Sequence, residues 1–219
     1  MKTAAVARIL LGLAVLALIG ATALAEDNSK STITINGGRE TVFMKAPSHV
    51  NTVRTPCTKG KFYDNICDGT IDTGEGYTIS DGSPIGTEYT PAAQIKVLKT
   101  GTTKKVGVTV GFVEGTNGAI VDVDKDCKNL PCGNTDGGKH LCQGKPTNLF
   151  TFGDAYTVET IKCKIAVKKG ELLWVYVQSD ANSWLAWDLS AALGGGVEGT
   201  NDVWGTYDSS ENVGGLAIY

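Results

Sequence analysis

The chain has 219 residues, 20 basic and 23 acidic, and its formal charge of −3 leaves no electrostatic footprint for nucleic acid or an anionic lipid surface. Twenty-eight glycines, with frequent Thr and Val and no long Leu/Ala/Glu periodicity after the N-terminus, exclude a helical bundle. They suit short strands joined by tight turns.

The first residues read as an export signal. Lys2 and Arg8 supply a basic start, Ile9 to Ile19 is an unbroken apolar stretch, and Ala23-Leu24-Ala25 is a small-x-small cleavage site. The apolar stretch is too short for an ordinary membrane-spanning helix, so a Sec-type signal peptide over residues 1–25 is expected. Cleavage after Ala25 leaves residues 26–219 as one domain, secreted or periplasmic, with a formal charge of −5 once Lys2 and Arg8 are gone. Glu26, rather than Cys, follows the cut, which argues against a lipid-modified N-terminus.

In chain order, strands are expected at Ser31–Ile35 and Thr41–Lys45. Residues 47–91 read as an irregular, disulfide-containing loop region, with turn signals at Asp68-Gly69, Asp81-Gly82 and Ser83-Pro84. Gln94–Lys99 is the next strand. Lys105–Phe112 alternates, with Val106, Val108, Val110 and Phe112 on one face and Lys105, Thr109 and two glycines on the other, the pattern of a half-buried strand. Gly115-Thr116-Asn117-Gly118 then predicts a hairpin into Ala119–Asp124. A short strand is expected at Phe150–Phe152, and a longer one at Thr160–Lys168, with Ile161, Cys163, Ile165 and Val167 inward. After the turn at Lys169-Gly170-Glu171, Leu173, Val175 and Val177 suit the core while Trp174 and Tyr176 share the opposite face. Ser183–Leu189, Asp202–Tyr207 and Gly215–Tyr219 complete the set. Val-Glu-Gly-Thr-Asn occurs twice, at Val113–Asn117 and Val197–Asn201, with flanks that do not match, so two similar turns are expected rather than a duplication. About ten strands at this spacing predict an all-β fold, a two-sheet antiparallel β-sandwich of jelly-roll or immunoglobulin-like type.

Six cysteines in an exported chain predict three disulfides. Cys57–Cys67 closes the most obvious loop, and Cys127, Cys132, Cys142 and Cys163 are expected to pair among themselves. With no C-x-x-C pair and His140 as the one nearby histidine, the zinc alternative is weak.

Three constellations could carry chemistry. Asp122, Asp124 and Asp126 alternate like the opening of a calcium loop, although Cys127 and Gly133 stand where an EF-hand requires Gly and Glu. A looser calcium site completed by Asp136 competes with a solvated acidic turn neutralised by Lys125 and Lys128. Trp174, Tyr176, Trp184, Trp187 and Trp204 lie in one C-terminal block and are expected either to stack on sugar faces or to fill the core. Lys162, Lys164, Lys168 and Lys169, with Lys104 and Lys105, form a basic stripe, read as a solvated edge that discourages strand pairing. No G-x-S-x-G, H-E-x-x-H or phosphate-loop pattern occurs, and neither His49 nor His140 has a spacing that names a partner. Glu75, Glu88, Glu114, Glu159 and Asp188 are unranked candidates for a glycosidase carboxylate pair.

From about Thr147 onward, the run Val167–Val177, then Trp184 and Trp187, then Trp204 in a Gly-rich stretch and the closing Gly214–Tyr219, resembles a loosely defined class of bacterial exported β-domains. The resemblance implies a jelly-roll or immunoglobulin-like sandwich, often without assigned activity and often followed by a C-terminal sorting anchor. No Pro-Glu-Pro tail, apolar helix or basic end follows here, so free secretion or periplasmic residence is expected. The resulting expectation is a secreted, non-enzymatic protein of surface or matrix recognition, with an extracellular glycan or cell-surface component as partner and calcium as the one candidate cofactor. A secreted polysaccharide hydrolase is the alternative, and an outer-membrane barrel the third class.

Overall fold

The computed structural model describes residues 33–36, 39–45, 59–67, 71–82, 86–135, 139–154, 156–193, 196–200, 203–207 and 212–219. The expected signal peptide, Cys57, His49 and Asp136 lie outside the described residues. Eighteen strands are described: β1 (Ile33–Asn36), β2 (Arg39–Lys45), β3 (Tyr63–Asp64), β4 (Ile71–Asp81), β5 (Glu88–Lys96), β6 (Gly101–Thr102), β7 (Lys105–Val108), β8 (Val110–Gly115) and β9 (Ala119–Lys125) in the first half. A single helical turn at Cys132–Thr135 separates these from β10 (Cys142–Gly144), β11 (Glu159–Lys162), β12 (Ala166–Val167), β13 (Leu172–Ser179), β14 (Ser183–Leu193), β15 (Gly196–Thr200), β16 (Val203–Tyr207), β17 (Asn212–Gly214) and β18 (Leu216–Ile218).

The fold is the expected all-β sandwich. One antiparallel sheet is built around β14, which pairs with β4, β8 and β17, while β2 lies on the far side of β4. The other runs β16-β15-β5-β13-β9-β10. The two share a corner where β4 and β5 pair at Ser80 with Tyr89 and Asp81 with Glu88. A smaller sheet, β11-β7-β18-β3, and the pair β12-β6 extend the structure. The sheets are open, ending in edge strands, rather than closed into a barrel. Inner faces of all the larger sheets meet in one apolar cluster that includes Tyr77 and Ile79 of β4, Ile95 of β5, Val121 and Val123 of β9, Leu173, Val175 and Val177 of β13, and Leu185 and Trp187 of β14. Each such side chain removed from water contributes roughly 1.5–3 kcal/mol. The alternation expected for Leu172–Val177 is therefore observed, and Ile161, Cys163 and Val167 are buried with Ile165 partly so, although the strand expected over Thr160–Lys168 is two, β11 and β12, in different sheets.

Several expectations change. The run Lys105–Phe112 is not one half-buried strand: it breaks at Thr109, where the chain leaves the β7 sheet and enters the β14 sheet. Its glycine face is covered too, because a Cβ on Gly107 would meet Val158 and Tyr219, and one on Gly111 would meet Phe150 and Phe152. Phe150–Phe152 itself is no strand; it contributes only an isolated bridge, Thr151 to Phe112. Gly215 lies between β17 and β18 and repeats the crossing beside Thr109, whose N–H donates to the Gly215 carbonyl at 3.1 Å. Residues 47–91 are not merely a loop, since β4 within them is an eleven-residue strand against the middle of β14.

No hairpin joins β8 to β9. The turn at Gly115–Gly118 carries the chain between the facing sheets, β8 pairing with β14 and β9 with β13. Gly115 adopts φ +91°, and a Cβ there would stand 1.6 Å from the Asn182 carbonyl oxygen. Backbone cannot yield as a flexible side chain does, so Gly115→Ala should lower unfolding stability by about 3 kcal/mol. Urea denaturation of the oxidised protein measures this, and a loss within the experimental scatter would contradict the turn's geometry.

Candidate functional site

Period two places Asp122 and Asp124 on the outer face of β9, with Asp126 one residue past its end, opposite Val121 and Val123 in the core. The same rule puts Trp174 and Tyr176 on the outer face of β13. Antiparallel pairing then sets Trp174 against Asp124 and Tyr176 against Asp122. The outer face of a sheet would ordinarily be wet, but this part is roofed. From the end of β9 the chain turns sharply through Lys128 and Asn129, both at positive φ, is closed by the Cys127–Cys132 disulfide, and returns through His140 into β10. Leu130 packs on Trp174, Tyr176 and Ala92. A second disulfide, Cys142–Cys163, ties β10 to the chain just beyond β11.

The roof is anchored by the three aspartates. Asp126 Oδ1 accepts from Trp174 Nε1 at 2.8 Å and from Gln94 Nε2 at 2.9 Å. Asp124 Oδ2 accepts from the Gly133 N–H at 2.7 Å, and its Oδ1 lies 2.9 Å from His140 Nδ1. Tyr176 Oη is also 2.9 Å from that nitrogen. Asp122 Oδ1 accepts from Gln143 Nε2 at 2.8 Å, while its Oδ2 is buried with no hydrogen-bond partner among the described residues. Asp122 and Asp124 are both fully buried, whereas the His140 side chain keeps 30 % of its surface in solvent. Burial raises the Asp122 carboxyl above the ordinary aspartate range, with Asp124 adding repulsion against the help of Gln143 and His140. Burial, then the Asp122 and Asp124 charges, raise the Tyr176 phenol far enough that it stays neutral.

This arrangement places the residues of several sequence readings. Trp174, Tyr176 and Trp187 are buried, with 2 % exposure at most, and offer no open ring face to a sugar. Trp187 lies against Gly214 and donates to the Gly215 carbonyl at 3.0 Å. Trp184 is half-buried with its Nε1 enclosed, and the Trp204 side chain lies outside the described residues. The five rings therefore do not assemble into one stacking platform. The aspartates do share a face, but their oxygens are met by N–H donors and an imidazole, whereas calcium requires a shell of oxygens. No group of three metal-binding side chains occurs among the described residues. As for cysteines, Cys127, Cys132, Cys142 and Cys163 pair among themselves as expected, and Cys67 is disulfide-bonded.

His140, Gln94 and Gln143 were not singled out as partners by sequence. The signal that could have found them is the return of the chain beside β9 after a short cystine loop, which brings residues just before and within β10 over the aspartate face. Disulfides fit an oxidising compartment, and among the described residues no helix is long and apolar enough to cross a membrane. No family model, curated protein or solved structure matches this chain.

Proposed function

We propose that this protein is exported through its N-terminal segment and acts outside the cytoplasm as a non-enzymatic recognition protein, with a glycan or a cell-surface or matrix component as partner. The observation that carries this reading is the roofed outer face of β9 and β13. Three acidic side chains that could have served chemistry instead hold a loop in one conformation through bonds to Trp174, Gln94, Gly133, His140 and Gln143. A loop fixed in this way loses little freedom on binding, which is how a rigid scaffold presents a recognition surface. The contact groups are then the exposed Lys128, Asn129 and Lys139 and the open edge of His140, rather than the C-terminal tryptophans.

A polysaccharide hydrolase needs an acid and a base that both reach a sugar: of its five candidates Asp188 is sealed at 0 % exposure, Glu88 and Glu159 are half-buried, and Glu75 and Glu114 are exposed. A glycan and matrix-protein array probed with the exported protein tests the reading. Retained ligands should be lost, by tenfold or more in affinity, in a Lys128→Gln, Asn129→Gly, Lys139→Gln variant, whose glycine tolerates the positive φ at 129 and whose unfolding midpoint serves as the control. An array on which nothing is retained, or binding untouched by the triple variant, removes it.

A further inference from the structure

Beside the roofed face, where β5 ends and β13 begins, the surface changes character. Two large apolar side chains are exposed among the described residues, and both lie here: Leu98 at 60 % and Leu172 at 37 %. Leu172 pairs directly with Lys96, so it shares a face with Lys96 and with Leu98 two residues on. Three segments interlock at this end. The Leu98 N–H donates to the Phe62 carbonyl at 2.8 Å, Val97 exchanges bonds with Glu171 and Gly170, and Lys169 N–H donates to Thr100 Oγ1 at 2.9 Å. β12 pairs with β6 just beyond.

Those segments, 61–62, 96–104 and 163–172, carry Lys61, Lys96, Lys99, Lys104, Lys164, Lys168 and Lys169 against a single carboxylate, Glu171. All seven lysines are exposed. Glu171 Oε2 accepts from the Lys168 N–H at 2.8 Å. The chain as a whole is negative, and its net charge alone gives no footprint for anionic lipid, yet seven of its 20 basic residues fall in these three segments. Lysines that guard an edge strand sit along that strand. Here only Lys96 lies within a strand, and the others occupy connections and turns.

We propose that this end docks on the surface of a bilayer containing anionic phospholipid, Leu98 and Leu172 entering the headgroup boundary while the lysines meet phosphates. Exposed leucines and exposed lysines carried by the same three segments match the layered chemistry of that interface: charge outside, hydrocarbon beneath. A second copy of this chain fits poorly. Two leucines fall far short of the roughly 800 Å² per partner of a stable protein interface, and seven lysines would face seven more. A soluble polyanion would use the lysines but leave the leucines without a role. The recognition loop proposed above leaves β9 beside this same end, Lys125 pairing with Leu173, so the substitutions that test the inference are all placed outside that loop.

Co-sedimentation of the exported protein with vesicles of phosphatidylglycerol and phosphatidylcholine, against phosphatidylcholine alone, tests it. Binding is expected only to the anionic vesicles and should weaken as salt is raised. Lys96→Gln, Lys99→Gln, Lys168→Gln and Lys169→Gln together should weaken it at least tenfold, and Leu98→Ser with Leu172→Ser several-fold. All six side chains are exposed, so unfolding midpoints near the parent's are expected and serve as the control. Failure to sediment with anionic vesicles overturns the proposal. So does vesicle binding unaffected by the leucine changes and matched by dextran sulfate, which would make the end a polyanion site.

Discussion

Asp124→Ala should lower the free energy of unfolding by about 3–5 kcal/mol, the largest effect expected of any polar substitution in the protein. Asp124 is fully buried and receives the Gly133 N–H, the His140 ring and the neighbourhood of the Tyr176 hydroxyl. Removing its carboxylate strands a backbone donor, leaves the imidazole facing Asp122 3.9 Å away, and opens a void beneath the cystine loop. A buried donor without an acceptor costs roughly 1–3 kcal/mol, and at least two groups are orphaned at once. Asp124→Asn keeps the volume and one acceptor, so it should lose less than half as much. Equilibrium urea denaturation of the oxidised proteins provides the comparison. If Asp124→Ala unfolds with the parent, the roof is held by its disulfides alone and the polar network is incidental.

Asp188→Asn should do the opposite at neutral pH and stabilise the fold by about 1–3 kcal/mol. Asp188 is fully buried on β14, and neither carboxylate oxygen has a hydrogen-bond partner among the described residues. Burial pushes its carboxyl well above the usual range, and the nearby Asp72 pushes it further. A folded-state pKa above the unfolded one means that the native protein binds the extra proton. Stability is therefore fully present below the unfolded aspartate value of about 4 and is lost as the pH rises through the folded value. Above that value the parent must either keep an unpartnered charge in the interior or unfold. The asparagine variant has nothing to ionise, so the two proteins should coincide near pH 3 and separate as the pH climbs. A parent at least as stable as the variant at pH 8 would show that the carboxylate has a compensating partner.

Much of this could be read from residue order. Alternation placed Leu173, Val175 and Val177 inward, set Trp174 and Tyr176 on one outer face, and set Asp122, Asp124 and Asp126 on another. What residue order could not supply was that β9 and β13 are neighbours. Only their pairing turns two half-patterns into one network, and that pairing is a long-range contact between segments some fifty residues apart. Strand breaks were hidden for a related reason. Lys105–Phe112 has unbroken period two because both halves need alternate apolar side chains, although those side chains enter the core from different sheets. The glycines opposite them signalled covering segments rather than solvent, a distinction that local composition does not encode. β4 escaped notice because Asp72, Gly74, Glu75 and Gly76 imitate turn chemistry inside a strand.

The side-by-side crossings at Thr109 and Gly215 bear on how the molecule comes apart. Val108 and Val110 are separated by one residue yet belong to different sheets, and the same is true of Gly214 and Leu216. Neither layer can peel away without dragging two taut threads of the other, so partial opening has no seam along which to begin. The molecule is laced rather than stacked, and its layers should melt as one unit.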